Sequence, residues 1–295
     1  PGDEVIVPGF TFVAAANMAL MVGATPVFAD IDPDTWLIDP ESVEKIITPR
    51  TRAIIAVHLY GNIADMDALG DIASQHGLFL IEDAAEACFS RWKGRSAGTL
   101  GHVGTLSFHA TKTLATGEGG MVLTADEELA RRMRAIREHG MLARKRYWHD
   151  EVGHNFRLTN LQAAIGCAQL ERIDLTIAAR QRVRDTYARL LHGGSAYRFQ
   201  QFTPEVEAVL WTFCVQLTAN ANAERRDLVM DRLTQAGVEV RPGFVAIADM
   251  PIYRAQPLPV SQHVSQTVIA LPTYPDLEEA QIDYICRSFL EALEQ

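Results

Sequence analysis

The chain has 295 residues, of which 48% are hydrophobic, enough to bury the cores of one large domain and one smaller domain. A formal net charge of -10 leaves no basic surface for a polyanion, which excludes nucleic acid as an expected partner and favours a small-molecule enzyme. The four cysteines are scattered without a CxxC pair, so we predict reduced thiols in the cytoplasm and no disulfide framework.

The first apolar stretch, from Val5 to Ala29, contains no charged side chain and has the length of a membrane span. Pro8, Gly23 and Pro26 interrupt it, however, and divide it into a strand (VIVP), a helix (FVAAANMALMV) and a second strand (ATPVFAD). This pattern predicts a buried α/β core and no membrane insertion. A signal peptide is not predicted either, because a basic n-region is missing.

Further short apolar runs follow in the first half of the chain: AIIAVHLYG, LFLIEDAA, GTLSFHA and GGMVLTAD. Their uniform hydrophobicity is typical of strands that are covered on both faces, and the patterns over residues 40–47 and 66–77 suit crossover helices. The sequence therefore predicts an α/β domain with a mostly parallel sheet and helices on both of its faces.

The second half of the chain has more helix-favouring sequence and fewer apolar strand-like runs. One long helix is predicted from Asn160 to about Leu191, and after Gly193 and Gly194 come a strand (VLWTFCVQL), a helix (AERRDLVMDRLTQAG), a short strand (VEVRP) and a final helix over 277–293. We predict a large domain over 1–170, a linking helix over 171–192 and a smaller α+β domain over 193–295.

The residues that could take part in catalysis lie between 78 and 122. Strand LFLI is followed by Glu82 and Asp83, and strand TLSF delivers Ser107 and then Lys112. Ligands of open α/β sheets bind at such strand ends. A glycine-rich turn, GEGG, follows the lysine and permits backbone conformations that larger residues resist.

An amine and a carboxylate from neighbouring strands suit pyridoxal 5'-phosphate (PLP). The lysine amine forms an imine with the cofactor, and the carboxylate keeps the pyridine nitrogen protonated so that the ring accepts electrons. Burial and nearby positive charge would make the amine more nucleophilic. By residue type alone, Lys112 could equally be a solvated surface lysine and Asp83 a helix cap.

Five blocks of the sequence carry a resemblance to a known family: PGDEVIVPGFTFVAAANMALMVGATPVFADID, AVHLYGNIADMDAL, LIEDAAEA, GTLSFHATKTLATGEGGMVLTAD and GHNFRLTNLQAAIGCAQLERI. They resemble the DegT/DnrJ/EryC1/StrS sugar aminotransferases over nearly the whole chain. The resemblance implies a fold type I PLP-dependent transferase that aminates keto groups on nucleotide-linked sugars.

The resemblance also implies roles for individual residues. Lys112 in SFHATK matches the lysine that forms the Schiff base and moves the proton between cofactor and substrate carbons, and Asp83 matches the partner of the pyridinium nitrogen. Ser107 matches a phosphate-binding serine, although its hydroxyl could instead cap its own turn. Phe12 matches the aromatic residue that stacks on the cofactor ring, whereas residue type alone would place it in a core.

Two further matches concern the neighbouring subunit and the substrate. Asn155 in GHNFRLTN matches an asparagine that reaches the phosphate of the partner's cofactor, which implies a homodimer with shared active sites; the alternative is an ordinary loop amide. His109 could contact substrate or pack beneath the cofactor. Arg241 in VEVRPGF belongs to a region that resembles the part of the small domain that closes over substrate.

The sequence departs from the family pattern in two places. Glu86 stands where members often carry Gln or His near the phenolic oxygen of the cofactor, so a carboxylate would tune the imine or bind a substrate hydroxyl. Members also have roughly sixty or more residues before PGDEV, including a helix start that binds the cofactor phosphate. We therefore expect a chain without its usual N-terminal segment, in which cofactor affinity and folding are weakened if nothing else replaces that segment.

Several alternatives remain to be weighed against this function. A related sugar dehydratase would carry histidine in place of Lys112, and a zinc site through His139, His149 and His154 lacks the tight ligand spacing that zinc requires, so no metal is predicted. Neither a Walker loop nor a GxGxxG fingerprint is present. A non-catalytic remnant or regulatory protein of the same fold stays open as an alternative function.

The reaction that the resemblance implies is ping-pong. An amino-acid donor, glutamate by resemblance, gives its amino group to the cofactor, and a nucleotide-linked keto sugar then receives it. RYWHDEVGHNFRLTNLQAAIGCAQLERID and LPTYPDLEEAQIDYIC are most similar to GDP-perosamine synthases, which aminate C4 of GDP-4-keto-6-deoxymannose. We expect such a product to enter surface polysaccharides, O-antigen chains or glycosylated natural products.

Overall fold

The computed structural model describes residues 1–141, 145, 147–253 and 255–294. Its strands are, in chain order, β1 (Glu4–Pro8), β2 (Thr25–Ala29), β3 (Thr51–Val57), β4 (Phe79–Asp83), β5 (Arg91–Trp92), β6 (Arg95–Ser96), β7 (Val103–Ser107), β8 (Gly120–Leu123), β9 (Tyr197–Phe199), β10 (Val206–Glu207), β11 (Phe213–Leu217), β12 (Arg241–Pro242) and β13 (Val268–Leu271).

The α-helices between and after these strands are α1 (Ala14–Met21), α2 (Pro40–Ile46), α3 (Met66–His76), α4 (Glu127–Arg137), α5 (Asn160–Leu170), α6 (Ile173–Leu190), α7 (Ala223–Gln235), α8 (Pro259–Thr267) and α9 (Glu279–Glu294). Two single 3-10 turns cover Leu59–Gly61 and Ile247–Asp249. Within the described ranges, none of the helices combines the length and the apolar character needed to cross a lipid bilayer.

The main sheet has the strand order β2-β1-β3-β4-β7-β8. Its first five strands run parallel, and β8 is antiparallel to β7. The predicted α/β domain with a mostly parallel sheet is thereby confirmed. β4 and β7 are direct neighbours, with Asp83 opposite Thr105, so the carboxyl ends of these two strands open on the same edge.

The crossover helices have clear local signals. The side chain of Asp65 caps α3 by accepting from the backbone N-H of Ala68, and Gly77 ends the helix in the left-handed region at φ 64°. α2 begins in the same way, because Asp39 accepts from the N-H groups of Glu41 and Ser42. These caps explain why both helices begin, and why α3 ends, close to the predicted positions.

A second, antiparallel sheet has the order β12-β13-β11-β9. It packs with α6, α7 and α9 around a core of its own, which includes Val183, Val215, Val229 and Phe289, whereas a separate core lies along the main sheet. Asp30, which follows β2, accepts from the backbone N-H groups that begin α8 and so ties this part of the chain to the main sheet.

The prediction of one helix from 160 to about 191 was wrong. Two helices occupy this stretch, separated at Glu171 and Arg172. Thr159 and Gln162 form a capping box that begins α5, and Asp174 lies in the first turn of α6. Helix-favouring residues on both sides of the break mask it, since a two-residue turn needs neither glycine nor proline.

Candidate active site

The candidate site begins at the adjoining ends of β4 and β7. Asp83 is the last residue of β4, and Ser107 is the last residue of β7. The backbone N-H of His58, which follows β3, donates to the carbonyl of Asp83 at 3.0 Å. Three neighbouring strand ends therefore meet around Asp83.

Lys112 lies in the loop after β7. Its Nζ is 3.3 Å from Oε1 of Glu86 and 3.7 Å from the centroid of the Trp211 ring. The side chains of Lys112 and Glu86 are 13% and 6% exposed, so this ion pair is largely shielded from solvent and little weakened by salt. The indole N-H of Trp211 donates to the carbonyl of Thr111 at 2.8 Å, which fixes the ring beside the loop that carries the lysine.

The chain contains four lysines, all of them among the described residues. Lys45, Lys93 and Lys145 are exposed, whereas Lys112 is partly buried. A lysine that forms a covalent link to a carbonyl compound needs a desolvated amine near groups that control its proton. The environment of Lys112 meets this requirement and the solvent-exposed positions of the other three do not.

Glu86 is the most strongly perturbed carboxyl group beside the lysine. Burial raises its pKa from 4.5 to about 7, against the opposing effects of the Lys112 charge and of the hydrogen bond from the backbone N-H of Tyr60. That hydrogen bond reaches Oε2 at 3.1 Å, while Lys112 binds Oε1. Glu86 is thus held at both oxygens and can change protonation near neutral pH.

Asp83 is the second carboxyl group of the site. Burial raises its pKa, while the N-H of Ala85 and the positive charges of His58 and Lys112 act in the opposite direction. The amine and the acid are therefore close enough to interact electrostatically. A cationic ring nitrogen placed against Asp83 would stabilise its carboxylate further.

Parallel and tilted aromatic rings line the approach to Lys112. Tyr60, at φ 60°, is stacked with Trp211 and with Phe244, at interplanar angles of 8° and 2°. Phe12 lies next in this row, 6.0 Å from Phe244 between ring centroids, and is 59% exposed. The predicted stacking residue therefore has an open ring face.

A cleft of about 1090 Å³ opens beside the lysine. Lys112, Tyr60 and Trp211 form one part of its wall, and Arg241 lines another part, so the structure brings two of the predicted residues to the same cleft. Residues in and beside the antiparallel sheet and in the last helix form much of the remaining wall: Glu239, Pro242, Ala270, Leu271, Thr273, Tyr274, Gln281 and Tyr284. The cleft has room for a ligand much larger than an amino acid.

Ser107, His109, Arg241 and Asn155 each have local partners. Oγ of Ser107 accepts from the N-H of His109 at 3.3 Å, and Nδ1 of His109 lies 3.0 Å from the hydroxyl of Thr111. Arg241 is exposed and pairs with Glu239 at 3.3 Å. Asn155 is exposed, forms a backbone bridge with Glu138 and is not part of the cleft wall around Lys112.

A buried pair supports the strand ends from behind. Nε2 of His58 lies 3.1 Å from Oε2 of Glu82, and both side chains are fully buried. The same carboxylate accepts from the N-H groups of Gly98, Leu100 and Gly101, which begin the approach to β7. Burial alone would raise the pKa of Glu82, but these hydrogen bonds and the His58 charge lower it. The pair joins β3, β4 and the segment before β7.

The residues present fit PLP. An amine that is poised against a carboxylate, a second carboxyl group whose ionised form needs a cation, an aromatic face and a hydroxyl at a strand end are the groups that this cofactor requires. Across the described residues, by contrast, no group of three or more His, Cys, Asp or Glu side chains could hold a metal ion. His139, His149 and His154 accordingly form no such group.

The sequence pattern did not indicate three residues of the site. Trp211 and Tyr60 lie in apolar runs that predict strands, where an aromatic residue indicates core packing. Arg180 is buried in α6, lines the cleft and donates to the carbonyls of Leu210 and Trp211. A signal for Arg180 existed, since an arginine on the apolar side of a helix needs a polar partner or a ligand.

Comparisons with known proteins find similar sequences and structures over nearly the whole chain. The model of the DegT/DnrJ/EryC1/StrS aminotransferase family matches residues 1–290. The chain is 42% identical to a GDP-perosamine synthase of Caulobacter vibrioides over 297 residues, which cover 99% of this chain and 80% of the relative. It is 41% identical to the UDP-N-acetyl-3-dehydro-alpha-D-glucosamine 3-aminotransferase of Acidithiobacillus ferrooxidans, with 96% and 75% covered.

Among solved structures, DesV of S. venezuelae in complex with a ketimine intermediate superposes with a TM-score of 0.92. The two sequences are 37% identical, and the match covers 100% of this chain and 79% of that chain. The likeness therefore extends over the main sheet and the antiparallel sheet alike.

Proposed function

We propose that this chain, which belongs to the DegT/DnrJ/EryC1/StrS aminotransferase family, moves an amino group from glutamate to C4 of GDP-4-keto-6-deoxymannose. Enzymes of this family are nucleotide-sugar aminotransferases that use PLP. The donor, the nucleotide and the carbon that is aminated are the proposed parts. Similarity to the GDP-perosamine synthase supports the choice of sugar.

The observation that carries the proposal is the environment of the Lys112 amine, held between Glu86 and the ring of Trp211 and electrostatically coupled to Asp83. Lys112 would hold the cofactor covalently through this amine, and Asp83 would bind its ring nitrogen. When bound, the cofactor carries the amino group between donor and acceptor and stabilises negative charge on the reacting carbon.

The remaining residues would bind and orient. The hydroxyl of Ser107 would donate to the cofactor phosphate, and the exposed face of Phe12 would cover the ring. Once the donor's amino group has displaced it from the cofactor, the free amine of Lys112 would move a proton between the two reacting carbons, because it would stay beside both atoms. Glu86 would accept or return a proton at Nζ, 3.3 Å away.

The cleft supports a large acceptor. Its volume of about 1090 Å³ suits a nucleoside diphosphate with its sugar. Arg241 on its wall would bind an oxygen of the substrate, and His109, in the same loop after β7 as Lys112, would contact the sugar. Arg241 pairs only with the exposed Glu239 among its described contacts, so a phosphate oxygen could compete for its guanidinium.

The role proposed for Asn155 requires a dimer. We propose that two copies of the chain form a homodimer in which the Asn155 amide of one copy reaches the cofactor phosphate of the other. Its exposure and its position away from the Lys112 cleft of its own chain support this role.

A second acceptor deserves a direct comparison. The 3-aminotransferase that acts on a UDP-linked sugar is only slightly less similar than the GDP-perosamine synthase, at 41% against 42% identity. A UDP-linked 3-keto sugar is therefore the competing substrate class.

The test is conversion of defined keto sugars. The purified protein is incubated with PLP, glutamate and GDP-, UDP- or dTDP-linked keto sugars, and mass spectrometry detects replacement of the keto oxygen by an amine. We expect conversion of the GDP-linked 4-keto sugar. Conversion of the UDP-linked or dTDP-linked sugars alone would overturn the proposed substrate, and a total lack of conversion would support a non-catalytic protein of the same fold.

A further inference from the structure

The ring of Trp211 contacts the amine of Lys112, although the proposed function assigns Trp211 no role in the reaction. Nζ of Lys112 lies 3.7 Å from the ring centroid, well within the range of a cation-π contact. The ring of Trp211 is held by two other contacts: its indole N-H donates to the carbonyl of Thr111, and its face is stacked with Tyr60. A ring fixed in this way can define the position of the amine.

Glu86 contacts the same amine at 3.3 Å, and its other oxygen accepts from the backbone N-H of Tyr60. Tyr60 thus holds the carboxylate through its backbone and stacks on Trp211 through its ring. Both partners of Lys112 are anchored to one residue, whose backbone adopts φ 60°, a conformation that is costly for an aromatic residue.

We propose that Glu86 and Trp211 form an amine seat for Lys112, in which Glu86 exchanges one proton with Nζ and the Trp211 ring fixes the position of Nζ. This inference rests on the proposed role of Lys112 as the covalent anchor. In the exchange, an N-H bond of the ammonium breaks and an O-H bond forms on Glu86, which leaves a neutral amine and a neutral acid. Trp211 is a positioning residue, because it acts through Lys112.

Few other groups near the amine seat can titrate at neutral pH. Among the described residues, the titratable groups that face Glu86 are Lys112, Asp83, Cys214 and the Tyr60 hydroxyl. Burial raises the pKa of Cys214 and of Tyr60 well above their ordinary values, so both stay neutral. Asp83 interacts in turn with His58, which makes Asp83→Asn the necessary comparison in any pH profile.

The test follows the capture of PLP by the cofactor-free protein. In capture, the Lys112 nitrogen replaces the aldehyde oxygen of PLP, and that oxygen leaves as water; borohydride then fixes the product for mass spectrometry. 4-Deoxypyridoxine 5'-phosphate keeps the ring and the phosphate but lacks the aldehyde, so its affinity reports on the rest of the site. Capture rates are measured against pH for the wild type, Trp211→Leu, Trp211→Phe and Glu86→Gln.

We expect Trp211→Leu to slow capture about tenfold at every pH, with unchanged affinity for the deoxy analogue, and Trp211→Phe to recover most of the rate. Glu86→Gln should remove a step near pH 7 from the rate profile, which Asp83→Asn should keep. Trp148→Leu is the matched control, because it removes an exposed ring under Lys145.

Three outcomes would contradict the amine seat. Wild-type capture rates in Trp211→Leu would show that the ring does not position Nζ, and equal losses of capture rate and analogue affinity would assign Trp211 a general structural role. An unchanged pH profile in Glu86→Gln would remove the proton exchange. A wild-type protein that captures no PLP on Lys112 would instead overturn the proposed function.

Discussion

Nζ of Lys112 and Oε1 of Glu86 lie 3.3 Å apart, with both side chains largely withdrawn from solvent. An amine and an acid in this arrangement share a proton whose position depends on what else binds, which is useful where the amine must attack a carbonyl and later move protons. The arrangement arises from two segments that the chain brings together: the turn after β4 and the loop after β7.

The first prediction concerns pH and Glu86. Burial raises the pKa of Glu86 from 4.5 to about 7, so the folded state holds this proton more tightly than the unfolded chain does. The contribution of Glu86 to stability is therefore complete below pH 4.5 and is lost as the pH rises through 7. Across that range, we expect the free energy of unfolding of the wild type to fall relative to that of Glu86→Gln by on the order of 3 kcal/mol.

Urea unfolding of the cofactor-free proteins at a series of pH values measures this difference. Other carboxyl groups titrate in both proteins and cancel in the comparison. Parallel stability curves for the wild type and Glu86→Gln would show that the burial of Glu86 does not govern this pH dependence.

A second prediction concerns Asp83. Asp83→Asn keeps the size of the side chain but removes the charge that would hold a proton on the cofactor ring nitrogen. We expect the rate of amino transfer from glutamate to fall at least about a hundredfold, while PLP still binds covalently. Single-turnover kinetics measure the rate, and Asp71→Asn on the exposed side of α3 serves as the control. A rate close to that of the control would remove Asp83 from the mechanism.

Ser107 gives a third prediction. If its hydroxyl donates to the cofactor phosphate, Ser107→Ala should weaken PLP binding by about tenfold, the effect of one hydrogen bond to a charged group. Equilibrium dialysis measures the affinity, and the exposed Ser96→Ala provides the comparison. Equal affinities in the two variants would place the phosphate elsewhere.

The buried pair of His58 and Glu82 gives a fourth prediction. Glu82→Gln removes a carboxylate that accepts from three backbone N-H groups and from His58. A neutral amide cannot replace all four contacts, so we expect the free energy of unfolding to fall by about 3 kcal/mol. Urea midpoints are compared with those of the exposed Glu41→Gln, and coincident midpoints would contradict the role assigned to the pair.

The fifth prediction tests the shared site. In a mixed dimer of Asn155→Ala and Lys112→Ala chains, one site combines an intact Lys112 with the intact Asn155 of the other chain. Coexpression should therefore restore activity to about half of the wild-type value per mixed dimer, although each variant alone is impaired. Absence of restoration in dimers that carry both chains would show that Asn155 acts within its own chain.

Much of the main sheet could be predicted because its strands are short apolar runs between capped helices. Asp83 and Lys112 could be found for a related reason: Asp83 ends one strand, Lys112 lies in the loop that follows another, and the two strands are neighbours. The break between α5 and α6 could not be read, since residues on both sides favour helix. The remaining features of the site depend on contacts between residues that are distant in sequence.

Trp211 illustrates that limit. It is adjacent to Lys112 in space but distant in sequence, and the contact depends on how the antiparallel sheet packs beside the loop after β7. The left-handed backbone of Tyr60 was equally unpredictable, because aromatic residues rarely adopt it unless tertiary contacts impose it. Both residues belong to the site but lie outside residues 78–122, the segment whose sequence indicated it.

The covalent anchor can be tested most directly by reduction and peptide mapping. The wild-type protein is saturated with PLP, treated with borohydride and digested, and the modified peptide is identified by mass spectrometry. We predict modification of Lys112 and its loss in Lys112→Ala. Modification confined to Lys45, Lys93 or Lys145, or none at all, would contradict the assignment of Lys112 as the residue that holds the cofactor.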